Sequence, residues 1–266
     1  MKLAQVMTKL ERLGSEQTRR TYRRHSVTGP AFGVRYGDLY ALQKQLGVDH
    51  ELSLALFETG NHDARVLATL IADPQQLSAK QLDAWQKACD NHVLNGAVAT
   101  LAAQSPSAQR IAARWRKVKA EYRSAAGWQM VGSLSAPGTD ADDAWLRPCL
   151  DEIRERIGTA PNRTRNAMNS ALISIGGYRE ALRAEALAVA KAIGKVEVDH
   201  GDTSCKTPDA VEYIAKMAVR HSRKAAKKKT AAKKKTAAKK KTVAKKKTAA
   251  KKKTAAKKTR ARATAR

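Results

Sequence analysis

The sequence predicts an all-α protein, a stack of helical pairs of the α-solenoid kind over residues 1–220, followed by a basic tail over 221–266. Two observations carry this. Apolar residues recur at helical spacing from end to end of the first part, and Val196–Val198 is the only strand candidate. The helices are also short, with apolar stripes that one pair cannot bury alone, so each pair needs another stacked on either side. A compact helical bundle is the alternative packing of the same elements.

The first helix spans Lys2–Leu13, with Leu3, Val6, Met7 and Leu10 on one face and Gly14 ending it. Ser15 caps a second helix that carries Arg19, Arg20, Arg23, Arg24 and His25. That arginine cluster reads either as a solvated face or as a phosphate-contacting one. Thr28-Gly29-Pro30 is a turn. In the central stretch, Gly33 to Pro74, Leu39, Leu42 and Leu46 share a helical face, and Leu52, Leu54, Leu56 and Phe57 follow too densely for a surface helix. Asn61 then caps a helix with Asp63 in its first turn and Val66, Leu67, Leu70 and Ile71 inward; Asp73-Pro74 ends it. His62, in the same first turn, reads as a surface or capping residue.

Further on, a helix opens near Ser78 with Leu82 and Trp85 inward, and Val93–Ala103, Ala108–Lys117 and Glu121–Leu134 follow. Asp140 to Ile157 is amphipathic, and Pro148 should kink or divide it. Asn162–Ile175 is expected to break at Gly176-Gly177, before a last long helix, Arg179–Ile193. Three helices open alike, with Arg65, Arg123 and Arg165 each preceding small and then apolar residues. Their separations, 58 and 42 residues, make the period loose, and helix pairs of roughly 40 residues, irregular in detail, describe a HEAT-like α-solenoid.

Charge sets the tail apart. The chain carries a formal +28, and Arg223–Arg266 holds 18 Lys and 4 Arg with no Asp or Glu. The preceding 222 residues hold 30 basic and 24 acidic side chains, a net +6. From Ala225 the unit Ala-Ala-Lys-Lys-Lys-Thr repeats with period six, which supplies no core and predicts disorder. The tail resembles the Lys/Ala-rich tails of linker-histone-like and bacterial nucleoid proteins. Extended, it could reach roughly 150 Å. Its cations could match about 37 Å of duplex. Lys227, Lys233, Lys239, Lys245, Lys251 and Arg260 are the DNA contacts expected there. A solubilising tail, or one that binds RNA or anionic membrane, is the competing reading.

Three scattered cysteines, Cys89, Cys149 and Cys205, form no CxxC and suggest a reducing compartment. No signal peptide or membrane-length apolar run is visible. A cytoplasmic, nucleoid-associated monomer without cofactor or metal is expected.

Two blocks carry a family resemblance. Val34–Leu39 (VRYGDL) with Leu56–Ala68 (LFETGNHDARVLA), and Ala192–Ala210 (AIGKVEVDHGDTSCKTPDA), resemble the AlkD-like DNA alkylation repair proteins. The resemblance implies a HEAT-like superhelix holding duplex DNA, in alkylated or distorted form, on a basic concave face. Active members remove cationic alkylpurines. A carboxylate there stabilises an oxocarbenium-like sugar, and aromatic faces and an arginine grip the lesion's backbone. On the same resemblance the family's Trp-Asp-x-x-Asp motif falls at His92, Val93, Leu94, Asn95 and Gly96. The expected arginine pair falls at Ser124-Ala125, and the later tryptophan at Ser170. The family's catalytic residues are thus substituted, and the implied function is DNA binding in or derived from alkylation repair. Asp90, Asp199 and His200 are the candidates for a displaced glycosylase site; a non-enzymatic nucleoid protein is the third possibility. Expected phosphate contacts in the folded part are Arg19, Arg23, Arg65, Arg114, Arg123 and Arg165. Asp199-His200-Gly201-Asp202 with Cys205 and Asp209 reads chiefly as a turn, with Thr207 capping a final helix and Pro208 at its first position.

Overall fold

The computed structural model describes residues 1–220, and Met1–Ala218 form one compact unit. It is built from α1 (Leu3–Leu13), α2 (Glu16–Arg24), α3 (Tyr36–Leu46), α4 (His50–Glu58), α5 (His62–Ile71) and α6 (Ala79–Lys87). α7 (His92–Ala102), α8 (Ala108–Trp115), α9 (Glu121–Leu134), α10 (Asp143–Arg156), α11 (Asn162–Tyr178) and α12 (Arg183–Ile193) follow, and a last helical segment covers 210–220. No strand occurs among the described residues, so Val196–Val198 belongs to no sheet.

Alternate helices form a spine. α3 packs on α5, α5 on α7, α7 on α9 and α9 on α11, while α4, α6 and α8 back onto α5, α7 and α9. This is the HEAT-like solenoid of helical pairs. One continuous core runs through it, with Leu39, Leu67, Leu94, Trp128 and Leu172 buried in successive spine helices. Phe57 and Trp85 stack between α4 and α6, with ring centroids 4.0 Å apart.

The caps follow local chemistry. Asn61 and Asn91 each turn a side-chain oxygen onto two free amides at the starts of α5 and α7. Ser15 and Ser78 cap α2 and α6. Three local expectations are corrected. α10 is not divided at Pro148, and buried Leu146, Cys149, Leu150 and Ile153 hold both sides of the missing amide bond. α11 runs on through Gly176-Gly177, which act as packing glycines. A Cβ on Gly176 would come within 2.9 Å of Ala186 and Ile214, and one on Gly177 within 2.7 Å of Met217. The segment 210–220 is capped by Asp209, whose carboxylate accepts the Glu212 amide at 2.8 Å; the Thr207 hydroxyl is engaged with His200 instead.

Buried ionic groups tie the pairs together. Arg116 is buried and pairs with Glu152 at 2.9 Å, its guanidinium 5.7 and 5.8 Å from the Trp128 and Trp145 rings. Arg179 donates to the carbonyls of Leu134, Ser135 and Ala141, which closes the loop between α9 and α10. Cys89 and Cys149 are buried free thiols, pushed up to about 12 and about 11 by burial, whereas Cys205 is exposed.

Candidate nucleic-acid interface

The starts of the spine helices are bonded in series along one edge. His62 at the start of α5 meets the Asn91 amide at 3.4 Å, just before α7. Asn95 in α7 donates to the carbonyl of Tyr122 at the start of α9 (2.9 Å). Glu121 accepts the Arg163 backbone amide at 2.6 Å, and the Thr164 hydroxyl donates to the Glu121 carbonyl, joining α9 to α11. Four helix amino ends are therefore linked along this edge, the rim, and their first amides are largely taken by Asn61, Asn91 and Glu121.

Below that rim lies a cavity of about 310 Å³ between α7, α9 and α11, lined by His92, Asn95, Gly96, Tyr122, Ala125, Gln129, Arg163, Asn166, Ala167 and Ser170. His92, Gly96, Ala125 and Ser170 are positions onto which the resemblance maps the family's catalytic set, and the fold brings them together here, while Val93, where the motif's first Asp falls, lines the neighbouring groove. Arg163 is the one charged side chain in this lining, and no carboxylate belongs to it. A neighbouring groove of about 360 Å³ shares Gly96 and Gln129 and continues past Thr100 and Thr69 to Tyr36 and Tyr40; its lining carries no charge. The walls are hydrogen-bonding and aromatic more than basic.

Much of the polar inventory at the first cavity is unspent. The side chains of Tyr122, Arg163 and Asn166 make no hydrogen bond among the described residues. His92 Nδ1 is buried without a partner. Burial first, then the charges of Arg163, His25 and His200, bring the His92 imidazole down to about 4. The His25 ring lies 5.7 Å from that of His92. Burial also raises the Tyr122 phenol, with Arg163 opposing.

The expected arginine contacts are differently placed. Arg65 donates to the Phe57 carbonyl and lies 5.2 Å from the Phe57 ring. Arg165 donates to the carbonyls of Ala160 and Glu197. Arg114 and Arg123 converge on Asp83, which also accepts the Trp115 indole N–H. Burial pushes the Asp83 carboxyl up, but these three donors outweigh it and hold it low. Arg19 and Arg23 pair with Glu16 on α2, and together they draw its carboxyl down to about 2. None of the six lines the two cavities. Lys227, Lys233, Lys239, Lys245, Lys251 and Arg260 lie outside the described residues.

The candidates for a displaced site fall in two places: Asp90 stands by itself, and Asp199 and His200 share the lining of a separate cavity of about 700 Å³ with Arg165 and Cys205. Asp90 is exposed at the rim and accepts from Asn91 Nδ2 at 2.7 Å. Asp199 closes its own turn by accepting the Gly201 amide, while its backbone exchanges two hydrogen bonds with the Asn162 side chain. His200 Nε2 lies 3.0 Å from the Thr207 hydroxyl. Among the described residues no group of three or more His, Cys, Asp or Glu is arranged to hold a metal. His62 is a correction. It is buried at 3% exposure, edge-on to Tyr22 with centroids 4.9 Å apart, and burial lowers its imidazole.

Tyr122, Arg163 and Asn166 were not singled out by sequence. A signal existed: His92, Asn95 and Gly96 share i, i+3, i+4 spacing, and Arg163, Asn166, Ala167 and Ser170 share i, i+3, i+4, i+7. Each set marks a polar or small strip on an otherwise buried helix.

Comparison with known proteins agrees with this architecture. The sequence model described as DNA alkylation repair enzyme matches residues 6–214, and the chain belongs to that family. It is similar to the uncharacterized proteins Lin0241 of Listeria innocua (30% identity over 224 residues) and Lmo0209 of Listeria monocytogenes (29% over 222). Each match covers 81% of this chain and 97% of the relative. A similar solved structure (TM-score 0.76, 30% identity, 83% of this chain and 95% of that one) is described as a new family of proteins related to the HEAT-like repeat DNA glycosylases, with affinity for branched DNA structures. No helix among the described residues is long and apolar enough to cross a membrane.

Proposed function

We propose that this protein binds branched or distorted duplex DNA along the rim and cavity of the spine helices, and holds it without excising a base. One observation carries this reading. The cavity where the family's catalytic positions converge offers Tyr122, Gln129, Arg163 and Asn166 and has no carboxylate in its lining. Cleaving a glycosidic bond requires charge stabilisation of an oxocarbenium-like sugar, worth several kcal/mol, which neutral amides do not supply. Arg163, whose guanidinium is unbonded at the start of α11, suits a phosphate oxygen, a contact that positions a duplex without reading its sequence. The similar structure's described affinity for branched DNA supports the choice of substrate. Residues 1–220 are the recognition domain in this scheme. The Lys/Ala tail supplies non-specific affinity and keeps the protein on the chromosome.

Two assays test the proposal. Fluorescence anisotropy should show tighter binding to a four-way junction than to linear duplex of equal length, with the salt concentration fixed. Release of 7-methylguanine from methylated duplex should not exceed the no-protein rate. Equal affinity for the two DNAs rejects the branched-DNA reading. Base release that Asp90→Asn abolishes supports instead a glycosylase with a displaced site; its loss with Asp199→Asn places that site at the 199–209 turn.

A further inference from the structure

We infer that the cavity between α7, α9 and α11 takes a single unpaired nucleotide from the branch point, its base enclosed beside Tyr122 and its phosphate at the rim by Arg163. The inference rests on the DNA-binding reading and names the part of the DNA that is recognised.

Size and chemistry both point to a nucleotide. About 310 Å³ lies at the lower end of the range for small-ligand pockets and is far too small for a duplex. The half-buried Tyr122 side chain offers an aromatic face and a free hydroxyl, and Asn166 offers an amide with both donors and an acceptor. Flipped bases are read by such a pairing of stacking surface with edge hydrogen bonds, and unpairing costs least where the base is already unpaired. Arg163 is the one cation among the lining residues, none of which is a carboxylate. Arg163 stands beside His92, and His25 approaches His92 from the end of α2. His200 acts on the same imidazole from the 194–209 loop. Asp90 and Glu121 also face this region. Asp90 is held by Asn91, and Glu121 by the Arg163 amide, which leaves the Arg163 guanidinium free for a phosphate. His92 Nδ1 is a buried polar atom with no partner inside the fold, as expected where a ligand completes the set.

The test uses the full chain and two junctions, one fully paired and one carrying an unpaired 2-aminopurine at the branch. The protein should prefer the second, and binding should shield the 2-aminopurine from acrylamide quenching. Tyr122→Ala should reduce the preference about tenfold, the scale of removing one base–aromatic stack. Asn166→Ala and Arg163→Gln should reduce it as well, with circular dichroism melts showing that each variant is folded; should Tyr122→Ala not fold, the other two carry the test. Equal affinity for both junctions with unaltered quenching overturns the inference while leaving junction binding intact. Failure to bind either junction overturns the proposed function and this inference together.

Discussion

Gly33 donates its backbone amide to the Asp63 carboxylate at 3.0 Å, across 30 residues of chain. Phe32 and Val34 donate to the same carboxylate, at 2.7 and 2.9 Å. Three successive amides therefore converge on one buried anion, and the Tyr22 hydroxyl lies 3.1 Å away. Gly33 has φ +79°, and a Cβ there would lie 2.5 Å from the Ser15 carbonyl oxygen, so only glycine fits this bend. The contact fastens α1 and α2 to α5. Asp63→Asn keeps one acceptor but turns an NH2 toward the amides. Thermal or denaturant unfolding should show a loss of about 2–4 kcal/mol. A variant as stable as the wild type would show that this anchor is dispensable.

Gly127 makes an even tighter approach. A Cβ there would lie 2.2 Å from the backbone nitrogen of Arg116, where α9 crosses the end of α8. Backbone cannot swing aside as a side-chain tip can. Gly127→Ala should cost at least about 3 kcal/mol or leave the protein insoluble. Gly37→Ala, with open space around its Cβ, is the matched control and should be neutral or slightly stabilising.

Two half-buried or buried imidazoles make the fold acid-sensitive. Burial lowers His62, with Asp63 and Asp90 partly opposing, and His92 is brought down to about 4 from 6.5. A histidine with a depressed folded pKa binds its proton more readily when unfolded. Stability is then full above about pH 6.5 and falls as the pH drops toward 4. Melting temperature should decline across that window, and His92→Gln should flatten the decline. An unchanged profile in the variant would assign the acid sensitivity to other groups. A phosphate at the rim opposes the shift, so bound DNA should raise the His92 titration midpoint followed by NMR.

Much of the architecture was legible because it is locally encoded. Ser15, Asn61 and Ser78 announce helix starts through side-chain oxygens that reach only three residues, and Asp73-Pro74 stops α5 by steric clash with its own neighbour. What escaped was set by distant parts of the chain. Gly176-Gly177 looks like a breaker until Ile214 and Met217 pack onto it. Asp63 looks like a first-turn acid until the loop at 32–34 closes over it. Arg65 and Arg165 look like surface cations because a sequence displays charge but not the carbonyls that occupy it. The family resemblance locates the candidate site at His92–Gly96, Ala125 and Ser170. It does not reach the free hydrogen-bonding groups, because Tyr122 and Asn166 meet only after α9 and α11 pack.

The final prediction separates the two sources of positive charge. If the tail supplies the non-specific grip, deleting 223–266 removes 18 Lys and 4 Arg and should lower the slope of log affinity against log salt by roughly 0.9 for each phosphate that the tail neutralises. Arg123 is held by Asp83 and belongs to the cluster that joins α6, α8 and α9. Arg123→Gln should therefore lower the melting temperature while leaving the salt slope nearly unchanged. Arg163→Gln should do the reverse, reducing the slope by about one unit with little effect on melting, because its guanidinium supports nothing else among the described residues. A tail deletion that leaves the slope intact would move the electrostatic grip onto residues 1–220. A slope that fell in Arg123→Gln but not in Arg163→Gln would place the phosphates on the Asp83 side of α8, away from the rim.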